Sequence, residues 1–207
     1  MKYYLLYSLV LLCCLGTIAQ NKDTTKKTDI KFTILEAGTY LAVPRNESFV
    51  SASDYSLGFE LNSYFTIADR YQIGLGYNQF KLDNHDFKRT GYIGETTNTA
   101  FYVMLGYQYR FNEKMTTSLN YSIGTATYKH DLIDSPEDFE DGAFYNNISI
   151  KFNYALNEQL SLHLHASYRM DFLDVDVPAE IESFYDTATY FNTGLSLSYT
   201  HHFKSKK

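Results

Sequence analysis

Tryptophan is absent from this chain of 207 residues, proline occurs three times, and cysteine only twice. Both cysteines, Cys13 and Cys14, fall in a stretch that reads as a cleaved secretory leader. Met1-Lys2 gives a basic start, Tyr3 to Leu15 an apolar core, and Thr17 and Ala19 the small residues before a cut after Ala19 or Gln20. A lipidated cysteine is preceded by a small residue; here Leu12 precedes Cys13, which argues against a lipoprotein. Loss of the leader leaves no thiol, and so excludes a disulfide, a thiol nucleophile and a thiolate metal site. Beyond the leader no apolar run approaches the ~18 residues of a membrane-spanning helix. A basic excess is also missing. Without Lys2 the chain carries 17 basic and 24 acidic residues, a net charge of −7, which makes nucleic acid an improbable partner.

What the chain has instead is tyrosine (20), phenylalanine (15) and strict alternation. The stretch 187–203 shows it best. Thr189, Phe191, Thr193, Leu195, Leu197, Tyr199, His201 and Phe203 share one parity. Tyr190, Asn192, Gly194, Ser196, Ser198, Thr200 and His202 share the other. A strand sends these sets to opposite faces. A half-buried strand of a soluble protein usually carries Lys and Glu on its wet face. A small, polar, uncharged face suits the lumen of a barrel with lipid outside.

Seven earlier stretches repeat the pattern. The first, about 30–41, is the least regular. Thr33, Leu35, Ala37, Thr39 and Leu41 are placed outward and Glu36 inward, because a carboxylate facing lipid is costly; the opposite phase, or a bulge near Gly38, is the alternative. The second, about 54–66, sets Tyr55, Leu57, Phe59, Leu61 and Phe65 against Ser56, Gly58, Glu60, Asn62 and Tyr64. Tight turns are expected near 69, 113 and 158, and long connections at about 82–98, 130–142 and 173–186. Pro44, Pro136 and Pro178 are all expected in long loops, where no ladder hydrogen bond is lost.

The fold class that follows is all-β: an eight-stranded antiparallel up-and-down transmembrane β-barrel over 30–203. A leader (1–19) and a polar lead-in (20–29) precede it, and a basic tail (204–207) follows. Soluble barrels alternate too. Here, however, the apolar faces are free of charge through strands two to eight, aromatics gather at strand ends around an aliphatic middle, and connections alternate long and short. In lipid, only helices and closed barrels satisfy every backbone group.

FTIADRYQIGLGY (65–77), ALNEQLSLHLHASY (155–168) and the terminal SLSYTHHF (196–203) carry a resemblance to small eight-stranded outer-membrane barrels of the OmpA, OmpX and OmpW kind and to barrel-domain proteins related to PorT. The resemblance implies residence in the outer membrane, contact with its lipid and lipopolysaccharide, and handling by the barrel-assembly machinery. It implies no catalysis and no cofactor.

Glu36, Glu60, Arg110, Lys151, His163, His165, Arg169 and Asp171 are placed in the lumen as a polar network that fills it. His163 and His165 could chelate a metal only with a third ligand, for which Glu36 or Glu60 is nearest. The acidic loop offers Asp134, Glu137, Asp138, Glu140 and Asp141 as oxygen donors for Ca²⁺ or Mg²⁺, without EF-hand spacing; a solvated, repulsive surface explains the same charges. His165-Ala166-Ser167 resembles the His-x-Ser element of the lipid A deacylases, with Glu180 as a candidate acid. It departs from that family at Tyr168-Arg169-Met170, and its parity points His165 and Ser167 away from lipid. The preferred reading is a structural or interaction role through the long loops, with the extracellular partner unspecified. A barrel binding lipid or a small hydrophobic molecule would instead need an apolar pocket near Tyr40, Phe80 and Leu82.

Overall fold

The computed structural model describes residues 30–45, 48–54, 56–86, 93–133, 138–175, 178 and 182–202. The leader, lead-in and basic tail, with Tyr55, Asp134, Pro136, Glu137, Glu180 and Phe203, lie outside the described residues. Eight antiparallel strands close on themselves in sequence order. They are β1 (Ile30–Arg45), β2 (Ser56–Ile67), β3 (Tyr71–Asp83), β4 (Ile93–Arg110), β5 (Met115–Leu132), β6 (Asp138–Ala155), β7 (Leu160–Asp174) and β8 (Thr187–His202). A 3-10 turn (Phe49–Ala52) follows β1, and a short helix α1 (Glu182–Tyr185) precedes β8.

The faces sort by polarity in the reverse sense of a soluble protein. Leu57, Leu75, Phe101, Leu105, Leu119, Ile148 and Leu195 are exposed, while Glu36, Lys151, Arg169 and Asp171 are buried. An apolar exterior around a charged interior is stable only where the solvent is hydrocarbon. Asn146, the polar residue that parity sets among the apolar outer residues of β6, accepts a hydrogen bond from the hydroxyl of Tyr121 at 2.9 Å, on the same outer face.

Closure rests on β1, which pairs with both β2 and β8. Its ladder shifts between Thr33 and Leu35 against β8 and between Thr33 and Glu36 against β2. Thr33 was expected outward. It faces the lumen, and its hydroxyl hydrogen-bonds that of Thr200 at 2.9 Å. The reason is parity. Thr33 and Glu36 stand three positions apart and cannot share a face of a regular strand. A bulge sends the consecutive Ile34 and Leu35 both to the lipid side, which lets both polar residues face in. The irregularity thus lies at Ile34–Leu35, not near Gly38.

Two further expectations are corrected. Pro44 is in β1, opposite Tyr190 of β8, rather than in a loop. Among the described residues the pairing of β1 with β2 ends at Ala42 and Ser56, and a strand paired on one side only tolerates a residue without N–H. The connections expected at 82–98 and 130–142 are shortened from both ends, because alternation continues beyond the aromatic level: 82–83 and 93–98 belong to β3 and β4, and 130–132 and 138–142 to β5 and β6. At 18 residues, β4, β5 and β6 exceed the ~9–11 that cross a bilayer, so they project past the belt as a hairpin-rich collar. Exposed ion pairs on this collar, Lys81–Glu95 and Lys129–Asp138, mark where lipid gives way to water.

At the other end the turns are tight. Arg70 N–H donates to Ile67 C=O at 3.1 Å, and the central residues Ala68 and Asp69 have φ of 54° and 57°. Two successive left-handed residues suit the twist of the flanking strands, and residues 68–70 complete the loop between them. The next two turns are copies of each other. Asn112 Oδ1 accepts the N–H groups of Lys114 and Met115, both at 2.9 Å. Asn157 Oδ1 accepts those of Gln159 and Leu160, both at 2.8 Å. The shared Asn-Glu at the two positions is therefore a turn-forming device.

Inward tyrosines and inward glycines are matched across the ladders. Tyr40 is paired with Gly58 on one side and Gly194 on the other, and Tyr102 with Gly76 and Gly124. The Tyr102 ring occupies the space a Cβ of Gly76 would need. Gly58 likewise leaves the space taken by the Tyr40 ring, which is how a narrow lumen accommodates large side chains.

Candidate functional site

The interior is arranged in layers. At the short-turn end a polar vestibule of about 250 Å³ opens to solvent, lined by Lys31, Thr66, Gln108, Arg110 and His202 among others. Arg110 was expected in the internal network. It sits at this rim, half exposed, and pairs with Asp69 at 3.2 Å. Lys31 reaches the same carboxylate at 2.6 Å. Partial burial alone would raise the Asp69 pKa. The hydrogen bond and charge of Lys31, followed by the charge of Arg110, outweigh burial and hold it below the usual carboxylate range.

Above the vestibule, Glu36 of β1 is fully buried and meets Lys151 of β6 across the lumen, Nζ to Oε1 at 2.5 Å. Ser196 donates to the same oxygen at 3.1 Å and Asn62 at 3.4 Å. Tyr102 in turn donates its hydroxyl to Asn62 at 2.8 Å. His163 is spoken for by neighbours: Nδ1 lies 2.5 Å from Asn153 Oδ1 and Nε2 lies 2.7 Å from Ser198 Oγ. His163 and His165 therefore do not form a chelating pair. His165 turns instead to Glu60, Nδ1 to Oε1 at 3.5 Å.

The third layer centres on Arg169. It grips Asp171 through two bonds, Nε to Oδ1 at 2.9 Å and a terminal nitrogen to Oδ2 at 2.5 Å. It also donates to Asn78 at 3.2 Å and Asn98 at 2.8 Å. Tyr145, Phe80 and Tyr190 surround the guanidinium with ring centroids at 4.6, 5.3 and 5.4 Å. Tyr128 completes the group by donating to Asp171 at 2.5 Å. A planar cation can satisfy donors in its plane and aromatic faces above it at once, which an ammonium cannot. Tyr40, Phe80 and Leu82 are buried in this layer, and Phe80 packs edge-on against Tyr190 at 5.1 Å. Among the described residues they line no apolar pocket.

The top layer is apolar. Phe49 and Val50 of the 3-10 turn are buried over the long-loop end. Phe49 stacks on Tyr185 of α1 and meets Tyr128 edge-on, both with ring centroids 5.7 Å apart. Beneath it His130 lies between Thr96 (Nδ1 to Oγ1, 2.8 Å) and Asp141 (Nε2 to Oδ2, 3.2 Å), with Phe139 stacked on its ring. His130 is beyond the lipid belt, in the collar. Burial pushes its pKa below the ordinary histidine value, and Asp141 only partly opposes this.

Of the proposed acidic cation ligands, Asp138 is held by Lys129 and Asp141 by His130, while Glu140 is exposed. Among the described residues no group of three or more His, Cys, Asp or Glu is gathered. His165 and Ser167 both face the lumen, and Ser167 Oγ accepts a hydrogen bond from Asn192 at 3.2 Å.

Several interior residues were not singled out from sequence: Asn98, Tyr128 and His130 among the strands, and Phe49 in the first loop. Continuing the parity of Tyr102 back to Asn98, and of Ser122 forward to Tyr128 and His130, would have found three of them. Phe49 has no such signal, since a 3-10 turn carries no period of two.

No family model matches the chain, and no curated protein matches it. Solved structures do. Neisserial surface protein A superposes with a TM-score of 0.57 at 11% identity, over 84% of this chain and 99% of that one. OprG of Pseudomonas aeruginosa gives 0.56 at 12% identity, over 85% and 97%. This is the fold of the small outer-membrane β-barrels. An outer-membrane barrel of eight strands has room inside for side chains and little else, and the layers above are how this one uses it.

Proposed function

We propose that this chain is an integral outer-membrane protein with a structural or interaction role, its lumen plugged by its own side chains. The observation that carries the reading is the Arg169–Asp171 layer beneath the Phe49–Val50 lid: it fills the long-loop half with paired charge, aromatic rings and a buried turn. Outer-membrane lipid and lipopolysaccharide contact the belt, the short turns face the periplasm, and the barrel-assembly machinery inserts the chain. The collar, with Asp131, Asp138 and Glu140 on its outer surface, is the surface offered to an extracellular partner. Catalysis of the lipid A deacylase type finds little support, because His165 and Ser167 face the lumen while the substrate would lie in the membrane. A lipid-carrying barrel is disfavoured because Tyr40, Phe80 and Leu82 are packed against their neighbours.

Reconstitution of the purified barrel in planar bilayers tests the proposal. A plugged lumen gives no stable open channel. Large, long-lived conductance steps would overturn it.

A further inference from the structure

Five buried polar atoms converge on one small cavity at mid-height in the barrel, each without a hydrogen-bond partner among the described residues. They are Glu60 Oε1, His165 Nδ1, Tyr40 Oη, Asn147 Oδ1 and Asn192 Oδ1. The cavity measures about 10 Å³, room for a single water-sized particle. Buried polar atoms are nearly always satisfied, so five orphans around one such space describe a place built around an occupant.

Charge indicates the sign of that occupant. Among the described residues three carboxylates lie inside the barrel. Glu36 has Lys151 and Asp171 has Arg169, each at 2.5 Å. Glu60 has no lysine or arginine in contact with it among the described residues; Lys151 acts on it only from beyond ion-pair distance while bonded to Glu36, and the nearest partner is His165, at 3.5 Å. A buried carboxylate without a cation is expensive, and the remaining orphans can all act as oxygen or nitrogen donors toward a positive ion.

Geometry and donor type narrow the ion. Two ligands bound to one tetrahedral Zn²⁺ at ~2.0–2.1 Å stand about 3.3–3.4 Å apart, close to the 3.5 Å between Glu60 Oε1 and His165 Nδ1. An imidazole in the set selects first-row transition metals over Ca²⁺ and Mg²⁺, which take oxygen ligands. Only Glu60 and His165 are strongly ligating side chains, so the amide oxygens of Asn147 and Asn192 and the Tyr40 hydroxyl would complete the shell. Gly58 and Gly194 flank Tyr40 on the two neighbouring strands, and a Cβ on Gly194 would stand 2.7 Å from the His165 ring. The glycines thus leave these ligands the room they occupy.

We infer that the cavity bounded by Glu60, His165, Asn147, Asn192 and Tyr40 binds one divalent transition-metal cation of the Zn²⁺ or Mn²⁺ class.

The test uses the folded full-length protein in detergent, stripped with a chelator and dialysed against Zn²⁺ or Mn²⁺, with bound metal read by elemental analysis. One equivalent per chain is expected. Glu60→Gln and His165→Gln should each weaken binding at least about tenfold, while Asp138→Asn and Asp141→Asn on the collar leave it unchanged. No binding, or binding that survives both interior substitutions, would overturn the site in favour of a bound water. Nitrogen NMR of the histidine rings in the wild-type protein decides the matter even where the variants do not fold. Zn²⁺ should move the His165 Nδ1 resonance and leave that of His163, and an unmoved His165 refutes the inference.

Discussion

Lys151 and Glu36 face each other across the lumen at 2.5 Å, from strands β6 and β1, although 115 positions separate them in sequence. Glu36 is fully buried and Lys151 nearly so, and each charge is stabilised chiefly by the other. Lys151→Met should leave Glu36 buried and unpaired and destabilise the barrel by about 3–5 kcal/mol. Adding Glu36→Gln to Lys151→Met should recover much of that loss. Urea unfolding of the refolded proteins in lipid vesicles measures both. Equal stability of single and double variants would show the pair to be uncoupled.

The duplicated Asn turns make a second expectation. Asn157→Ala removes the acceptor of the Gln159 and Leu160 N–H groups at the start of β7. The cost should be about 1 kcal/mol, as for other side-chain caps, and Asn112→Ala should cost a similar amount. Since the sites are on separate hairpins, the double variant should be additive in the same unfolding assay.

Ala68 offers the opposite sign. Its φ of 54° is a conformation that disfavours a Cβ. Ala68→Gly should stabilise by up to about 1 kcal/mol, provided the Asp69 contacts to Lys31 and Arg110 stay in place. A higher urea midpoint with unchanged slope is the readout.

His130 gives the collar a pH dependence. Burial lowers its folded pKa, with Asp141 opposing and not reversing the shift. Between the folded and unfolded values the unfolded chain holds the extra proton, so stability rises with pH. The contribution is complete above the ordinary histidine value and is lost as pH falls through the lowered one. The unfolding midpoint should drop between pH 7.5 and pH 5.5, values chosen as about one unit either side of the ordinary histidine value. His130→Asn should flatten that part of the profile. An identical slope in the variant would remove His130 as its source.

How much of this was legible in sequence differs from layer to layer. The barrel, its strand number and the direction of its faces follow from a period of two, which is local and needs no tertiary knowledge. So does the inward placement of Glu60, Lys151, His163, His165, Arg169 and Asp171. Strand one failed at Thr33, because a bulge is decided by which residues the neighbouring strands need opposite them. The ends of the connections expected at 82–98 and 130–142 are strand instead, because hairpins continue past the apolar belt as long as their pairing is satisfied.

Alternation by itself determined that this chain forms a closed barrel, apolar outside and polar within, because lipid leaves the backbone no other way to satisfy its hydrogen bonds. Only the tertiary structure decided which interior groups meet. Residues on one parity share a lumen, but their partners depend on the stagger and shear of eight strands. That stagger gives Glu36 to Lys151 and Asp171 to Arg169, sends Arg110 to the rim, and leaves Glu60 facing His165 across a space the size of one ion.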